Sequence, residues 1–403
     1  MAITFTGTPH GRFADIPRAG LFGEEHDALR SAVRAWVRAE LAPHAAEWER
    51  ERDFPVREVF GAAGALGLFG AKYDEAYGGT GPDLVADAVI TEELARCGSG
   101  GVAAALGAHK DLGPYYVYRF GSEEQRQRWL TPSVAGARIG ALAVTEPGAG
   151  SDVAGVATRA AASAGGWRLS GTKTFITNGP VADFVVVAAR TADAPPGLRD
   201  RRHEGISLFV VEAGTPGFAA RRIDTVGWRT SHTGELVFQD CAVPQDALLG
   251  EEGRGFHHIM ANFQWERLVM ALAAVAGAEE TLEGAIAYAR QRSAFGRPVA
   301  TFQTWRHRFA DLQTEIDAAR SLTYHALRIV VDGQDATREV SMAKWFATEL
   351  AFTVADEALQ VHGGYGYMME YPVQRAWRDA RLGPIGGGTT EVMKEIIGRS
   401  YGL

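Results

Sequence analysis

The chain has 403 residues and a formal net charge of −8, with 46% hydrophobic and 22% charged residues. This length exceeds what one hydrophobic core of ordinary size holds, so two or three domains are expected. The composition is typical of a soluble globular protein and excludes disordered, collagen-like and coiled-coil chains. Basic residues are scattered rather than clustered, so we expect no nucleic-acid partner.

The two cysteines, Cys97 and Cys241, are too few for a disulfide scaffold or a cysteine zinc site and fit a reducing compartment. The most apolar long run, 268–278, is shorter than the roughly 18 residues that cross a bilayer. The N-terminal segment MAITFTGTPHGRF lacks the charged start and apolar stretch of a signal peptide. We therefore expect a cytoplasmic protein without a membrane span.

The first part of the chain, from 24 to about 138, has apolar residues at three- and four-residue spacings and predicts helices. From 139 to 249 the pattern changes to short runs rich in Val, Phe, Ile and Thr, separated by Gly, Pro and Asn, which predicts several strands. The polar, proline-containing stretch 191–205 predicts an exposed loop between two of them.

Long helical patterns return in the last third of the chain. They cover 256–291, 303–331, 337–361 and a final stretch after Thr389. The order is therefore α, β, α, which indicates an α+β fold. The predicted domains are an N-terminal helical domain at 1–138, a central β domain at 139–250 and a C-terminal helical bundle at 251–403.

Generic nucleotide and metal motifs are absent or out of context. No Gly-Lys dipeptide occurs, which excludes the phosphate-binding loop GxxxxGK[ST]. The segment GSGGVA (98–103) fits a loose dinucleotide pattern but follows a helical stretch where that motif requires a strand. The histidines form no HExxH motif and no metal-ligand pairing with cysteine, so we expect no metal site.

Four Gly-containing segments combine turns with polar and aromatic side chains. LAVTEPGAGSD (142–152) places a strand before a bend whose hydroxyls and free backbone N–H groups suit a polar ligand. The other three are GTKTFITNG (171–179), RQRSAFGRPVATFQ (290–303) and QVHGGYGYMMEYPVQRAWRDA (360–380). Alone, each segment is explained by a structural turn.

In this order, within an α, β, α arrangement, the four segments resemble the acyl-CoA dehydrogenase family over nearly the whole chain. The resemblance implies an N-terminal helical domain, a central β-barrel-like domain and a C-terminal four-helix bundle. It implies FAD between the last two, completed by a neighbouring subunit of a homotetramer. It also implies dehydrogenation of an acyl-CoA to the trans-2-enoyl-CoA in fatty acid β-oxidation, with an electron-transferring flavoprotein as acceptor.

The resemblance assigns FAD contacts to all four segments. Thr177 would reach the flavin N5, and Arg292 would bind the FAD pyrophosphate across a subunit interface. Phe175 stands where the family often has Trp, which keeps the aromatic face but not the indole N–H. The matching cofactor positions are Leu142, Thr145, Gly150, Ser151, Phe175, Ile176, Thr177, Arg292, Phe295, Gln303, Gln360, Gly363, Gly364, Thr389 and Glu391. The substrate-side positions are Ser151, Arg267 and Gly388.

The general base separates two branches of the family. Removing a weakly acidic α-proton requires a carboxylate with a raised pKa, and the enolate-like oxygen needs hydrogen bonds. Many members carry a glutamate just before the terminal Gly-Thr, but that position is Gly387 here. A branch similar to long-chain and isovaleryl-CoA dehydrogenases carries the base in an ERL context on the first long C-terminal helix.

This chain reads QWERLVMALAAVAG at that helix, so Glu266 is the predicted base. Arg267 would hold the substrate site or the loop that bears Gly387. Glu391 is a rival base, but it lies four residues past Gly387 in what should be the first turn of the last helix, where a carboxylate suits the helix dipole. We assign it to the flavin side or to capping.

The acyl group and its carrier stay open. The segment GGVAAALGAHK (100–110) aligns with the helix that closes the acyl pocket in the family, and its small residues predict a deep pocket for medium to long or bulky chains. An abundance of alanine explains them equally well. The same chemistry on a carrier-protein thioester, or with oxygen as electron acceptor, is a second hypothesis. A flavin monooxygenase or a non-catalytic flavin-binding homologue is a third, against which the retained Glu266 argues.

Overall fold

The computed structural model describes residues 20–193 and 201–403. The N-terminal segment that lacks the features of a signal peptide lies outside the described residues, as do residues 194–200 of the predicted loop at 191–205. Among the helices that the structure does describe, none combines the length and apolarity needed to cross a bilayer.

The first part of the chain is helical, as predicted. Helices α1 to α8 are Glu24–Trp36, Ala45–Glu51, Val56–Ala65, Leu84–Leu94, Gly100–Asp111, Gly113–Phe120, Glu123–Gln125 and Thr131–Val134, with π-helical turns at Val37–Leu41 and Arg126–Leu130. The side chain of Ser99 caps α5 by accepting a hydrogen bond from the backbone N–H of Val102. The GSGGVA segment is therefore a helix start preceded by a helix, and not the strand-to-helix turn of a dinucleotide site.

The central part of the chain forms a sheet. Strands β1 to β8 are Gly140–Ala143, Arg159–Ser163, Gly166–Ile176, Phe184–Arg190, Ile206–Glu212, Phe218–Arg222, Gly234–Pro244 and Leu248–Leu249. Within the described residues these eight strands form one sheet in the order β6-β7-β3-β2-β4-β5-β8, and β1 pairs with β4 in parallel. The apolar run of β4 is buried on both faces, as its composition predicts.

The last part of the chain returns to helices. It contains α9 to α13, at Gly255–Gln291, Gln303–Val331, Thr337–His362, Pro372–Ala380 and Thr390–Ser400, and a short hairpin of β9 (Ser293–Ala294) and β10 (Arg297–Pro298). The bounds predicted for α9, α10 and α11 are confirmed within one residue. The sequence predicts a Gly-aromatic turn over 360–380, whereas the structure forms α12 from Pro372 onward, since proline is favoured at the first helical position.

Helix α9 is the longest of the described helices. Its 37 residues span roughly 55 Å. One apolar core joins α9, α10 and α11, and Ala88 of α4 extends this core into the N-terminal helices. The helix that carries the predicted base therefore begins beside strand β5 of the sheet and is then packed against other helices.

Candidate active site

Glu266 lies on α9 between the buried residues Trp265 and Arg267. Its Oε1 accepts a 2.8 Å hydrogen bond from the hydroxyl of Tyr116 on α6 and a 3.0 Å hydrogen bond from Nδ2 of Asn262, one helical turn earlier. Its Oε2 has no hydrogen-bond partner among the residues that the structure describes, and the side chain is partly accessible to solvent. Oε1 of Glu266 is thus fixed by two hydrogen bonds, whereas Oε2 is free to contact a ligand.

The surroundings of Glu266 bring its titration close to neutrality. Burial raises the pKa of Glu266 from 4.5 to about 7, although the hydrogen bonds from Tyr116 and Asn262 and the charge of Arg267 act in the opposite direction. A carboxylate with a pKa close to the working pH is suited to remove a proton from carbon and to release it again.

Arg267 is 8% exposed, and its guanidinium lies 4.9 Å from the centre of the Phe263 ring. Burial lowers the pKa of this arginine, and the neighbouring Glu266 partly offsets that effect. Its Nε–H has no hydrogen-bond partner in the described part of the chain. A buried, unpaired donor is uncommon in proteins, so Arg267 has a free N–H to offer to a substrate or to the adjacent loop.

The loop before α13 approaches this arginine. Gly387 and Gly388 have φ values of +63° and +96°, and a Cβ on Gly388 would lie 3.7 Å from Nε of Arg267. A Cβ on Gly387 would collide with the sulfur of Met270 on α9. The buried Lys344 on α11 holds this loop, because its Nζ donates a 2.6 Å hydrogen bond to the carbonyl of Gly388. Position 387 therefore has no carboxylate, and a side chain there would have to displace the flexible end of Met270 and adopt a strained positive φ.

The predicted flavin-side turn is tied to strand β3 by a buried ion pair. Nζ of Lys173 donates to the carbonyl of Val144 at 2.9 Å and to Oε1 of Glu146 at 2.8 Å. The backbone N–H of Thr174 donates to the carbonyl of Thr145 at 3.0 Å. Burial lowers the pKa of Lys173 to about 8 despite the Glu146 charge. The segment after β1 and the end of β3 thus form one rigid unit.

Phe175 is presented outward from this unit. The register between β3 and β7 shifts just before Ile176, and Phe175 takes a φ of +60° with 66% of its surface exposed. Such irregularities re-aim side chains and occur at functional sites. Within the described residues, the hydroxyls of Thr145, Ser151 and Thr177 make no hydrogen bond. An exposed aromatic face flanked by free hydroxyls fits a planar ligand with polar edges, such as the flavin of FAD.

The other predicted cofactor residues divide between two distant places. Arg292 directly follows α9, so it lies roughly 39 Å from Glu266 along the helix axis. Its guanidinium is 5.5 Å from the centre of the Tyr365 ring, and Phe295 is 97% exposed. Gln303, Gln360, Gly363 and Gly364 are also exposed. A single chain therefore does not bring this group together with Glu266.

Thr389 and Glu391 lie at the start of α13, close to the Gly388 loop. The hydroxyl of Thr389 accepts a hydrogen bond from the backbone N–H of Val392 and caps the helix. Glu391 is exposed, and its own backbone N–H holds the pKa of its carboxyl below the ordinary value. A rival base at Glu391 lacks the raised pKa that Glu266 has.

Two residues that contact Glu266, and a third that fixes the start of α5, were not anticipated from the sequence. Asn262 is recognisable in retrospect, because it lies four positions before Glu266 on a predicted helix and must share its face. Tyr116 is separated from Glu266 by 150 positions, and no local pattern connects them. Asp379 on α12 accepts hydrogen bonds from the backbone N–H groups of Gly100 at 3.0 Å and Trp228 at 2.6 Å.

Comparison with known proteins places these observations in context. Three family models match the chain: acyl-CoA dehydrogenase N-terminal domain at residues 23–137, middle domain at 141–241 and C-terminal domain at 253–402. The chain is 42% identical over 389 residues to the mitochondrial long-chain specific acyl-CoA dehydrogenase of Sus scrofa, which covers 96% of this chain and 89% of the relative.

Solved structures agree with these matches. An acyl-CoA dehydrogenase from Geobacillus kaustophilus is 43% identical and has a TM-score of 0.89, with 95% of this chain and 99% of that chain covered. A glutaryl-CoA dehydrogenase from Mycobacterium smegmatis in complex with FADH2 is 29% identical and has a TM-score of 0.88, with 96% of both chains covered.

Proposed function

Because the chain belongs to the acyl-CoA dehydrogenase family, we propose that it oxidises medium- to long-chain acyl-CoA thioesters with Glu266 as the general base. The family assignment makes it an FAD-dependent oxidoreductase of fatty acid metabolism that acts on CH–CH donors. The observation that carries the residue assignment is the Glu266 carboxylate, which has one oxygen free and a pKa raised to about 7. Gly387 leaves this role without a competitor at the alternative position.

The residues that would hold the cofactor are Thr145 and Ser151 of the turn, the outward-facing Phe175 and the half-buried Thr177. Ile176, between the last two, is buried in the core of the sheet. FAD held by these residues would supply the two-electron oxidising power of the reaction. The Lys173–Glu146 ion pair keeps the two segments in register with each other. Their hydroxyls are unpaired in the described structure, so they can bind a polar edge without breaking internal hydrogen bonds.

The chain's own part in the reaction is the removal of the α-proton. Deprotonated Glu266 accepts this proton on Oε2, because Oε1 is already occupied by two donors. The unpaired Nε–H of Arg267 is available to the thioester or to the Gly388 loop. Positive charge near the enolate-like oxygen stabilises the transition state for proton removal.

The preference for longer acyl chains rests on helix α5. Ala103, Ala104, Gly107 and Ala108 share one partly open face of this helix, whereas Leu106 is fully buried. A Cβ on Gly107 would meet no atom within 4 Å, so the space beside it is open. The similarity to a long-chain specific enzyme supports the same preference.

The proposal includes a second copy of the chain and a protein electron acceptor. The separation of roughly 39 Å between Arg292 and Glu266 supports an assembly in which the Arg292 group of one copy completes the cofactor site of another. By family resemblance we expect a homotetramer that passes electrons to an electron-transferring flavoprotein. A cytoplasmic location is consistent with two free, buried cysteines.

The test is anaerobic bleaching of the bound flavin with acyl-CoAs from butyryl to palmitoyl, and with branched ones. We expect wild type to bleach most efficiently with the longer chains. Glu266→Gln should keep its flavin and lose ~1,000-fold or more in the bleaching rate. Glu283→Gln is the matched control, because Glu283 is an exposed carboxylate on the distal half of the same helix, and it should bleach normally.

Two results would contradict the proposal. Near-normal bleaching by Glu266→Gln would remove Glu266 from the role of base. A fully flavinated wild type that bleaches with a carrier-protein thioester, and with no acyl-CoA, would refute CoA as the carrier.

A further inference from the structure

We propose that Tyr116 is a positioning residue that fixes Oε1 of Glu266 and so makes Oε2 the oxygen that receives the substrate proton. This inference rests on the proposed function of Glu266 as the base. It assigns to a residue of the N-terminal helices a role in aiming a carboxylate that belongs to the C-terminal bundle.

The hydrogen-bond geometry selects one orientation of the carboxylate. The terminal torsion of a glutamate side chain is broad, so an unsupported carboxylate samples many planes. Here the Tyr116 hydroxyl at 2.8 Å and Asn262 Nδ2 at 3.0 Å both bind Oε1, from two different helices. Two donors on one oxygen restrict the rotation, and no donor among the described residues competes for Oε2.

Tyr116 is itself held in place. Its side chain is fully buried, and its ring packs edge-on against Phe120 with the ring centres 6.0 Å apart. Helix α6 lies so close to β1 that a Cβ on Gly113 would come within 2.7 Å of the carbonyl oxygen of Ala141. Strand β1 leads directly into the turn that carries Thr145. Helix α6 therefore contacts both the base, through Tyr116, and the strand that leads into the flavin-side turn, through Gly113.

The hydrogen bond also affects the proton affinity of the base. The charged or titratable groups that face Glu266, Tyr116 or Arg267 are Arg119 on α6, Asp111 at the end of α5 with its partners Lys72 and Lys110, and Lys344 on α11. Burial and the Glu266 charge raise the pKa of Tyr116 well above its ordinary value, so Tyr116 stays a donor. A donor stabilises the carboxylate form, so removing the hydroxyl raises the pKa of Glu266 above about 7.

The experiment compares Tyr116→Phe with Tyr118→Phe. Tyr118 lies on the same helix, but its hydroxyl donates to the exposed side of the molecule, at Asp74. The titration of Glu266 is followed in the holoenzyme by the infrared carbonyl band of its protonated form, which is identified by its absence in Glu266→Gln. The second readout is the pH profile of kcat/KM with the preferred acyl-CoA.

In Tyr116→Phe we expect the Glu266 titration and the acid limb of the profile to move up together by about one pH unit. The value of kcat should fall and KM should change little. Tyr118→Phe should titrate as wild type does. Site-specific 3-fluorotyrosine at position 116 keeps the fold and strengthens the donor, so it should move the titration in the opposite direction. This second variant decides the question if Tyr116→Phe does not fold.

The outcomes separate this inference from the proposed function. If Glu266→Gln is active, Glu266 is not the base and both fail. If Glu266→Gln is inactive but neither change at position 116 moves the Glu266 titration, the proposed function stands and the role of Tyr116 is overturned. Equal shifts in Tyr116→Phe and Tyr118→Phe would also overturn it, because they would show a general effect of α6.

Discussion

The indole N–H of Trp265, the residue just before the proposed base Glu266, donates a 2.9 Å hydrogen bond to Oδ1 of Asp111. Asp111 is buried together with Lys72, Lys110 and Asp87, and their side chains pair with each other. Burial alone would raise the pKa of Asp111, but Lys110 and Lys72 outweigh it and hold that pKa well below its usual range. The Trp265 bond therefore anchors α9 to a charged acceptor beside Glu266.

We expect Trp265→Phe to lower the free energy of unfolding by about 1–3 kcal/mol, because it removes the donor and keeps a large ring. Urea unfolding followed by circular dichroism measures the change. Trp345→Phe is the matched control, since the indole N–H of Trp345 is buried without a hydrogen-bond partner among the described residues. Equal losses in the two variants would show that ring size, and not the bond to Asp111, sets the stability.

The activity should depend on pH through Glu266. Proton removal needs the carboxylate, and burial raises the pKa of Glu266 to about 7, so kcat/KM should rise with pH and level off above about 7. Steady-state rates with a fixed acyl-CoA, measured under constant ionic strength, give the profile. An acid limb at the ordinary glutamate value of 4.5 would contradict the assigned environment.

Glu266 should also make the stability of the protein fall as pH rises, whereas the activity rises with pH. A folded-state pKa raised above 4.5 favours the folded protein fully at pH values below 4.5, and this contribution is lost as pH rises to about 7. We therefore expect Glu266→Gln to gain thermal stability relative to wild type as pH increases across that window. Melting temperatures of both proteins below pH 4.5 and above pH 7 provide the measurement. A constant difference would show that Glu266 does not titrate there.

Asp379 joins α12 to the start of α5 and to the loop before β7. Asp379→Ala leaves the N–H groups of Gly100 and Trp228 without their acceptor, and each unpaired group should cost about 1–3 kcal/mol. Chemical denaturation measures the loss. Asp356→Ala is the control, because Asp356 is exposed, accepts an exposed hydrogen bond from the indole N–H of Trp377 and should change stability little. Comparable losses in both would contradict the role of Asp379 in joining the domains.

Chain-length preference should respond to Gly107. Leucine at this position would fill the open space beside α5, so Gly107→Leu should lower the ratio of palmitoyl-CoA to butyryl-CoA kcat/KM by ~10-fold or more. Gly284→Leu is the control, since Gly284 is a helical glycine with equally open surroundings on the distal half of α9. An unchanged ratio in Gly107→Leu would place the acyl chain elsewhere.

The sequence predicts the long helices well because their apolar periodicity extends over many turns and ends at Gly or Pro. Helix α12 was missed although Pro372 occupies its first position, where proline is favoured. The position of Glu266 on the first long C-terminal helix could be predicted from its ERL context, and its role as the base stays a prediction. The outward turn of Phe175 could not be predicted, because it depends on the register between β3 and β7. The contact between Tyr116 and Glu266 could not be predicted either, because it forms only when the N-terminal helices pack against the C-terminal ones.

The collision between a side chain at position 387 and Met270 has an evolutionary consequence. A lineage that placed a glutamate at 387 would have to turn the flexible end of Met270 aside and hold a non-glycine residue at a φ of +63°. If Glu266 is the base, losing it first would leave none, whereas gaining the loop glutamate first would cost only this local rearrangement and strain. The order of the two changes therefore matters, and the gain of the loop glutamate is the step that can come first.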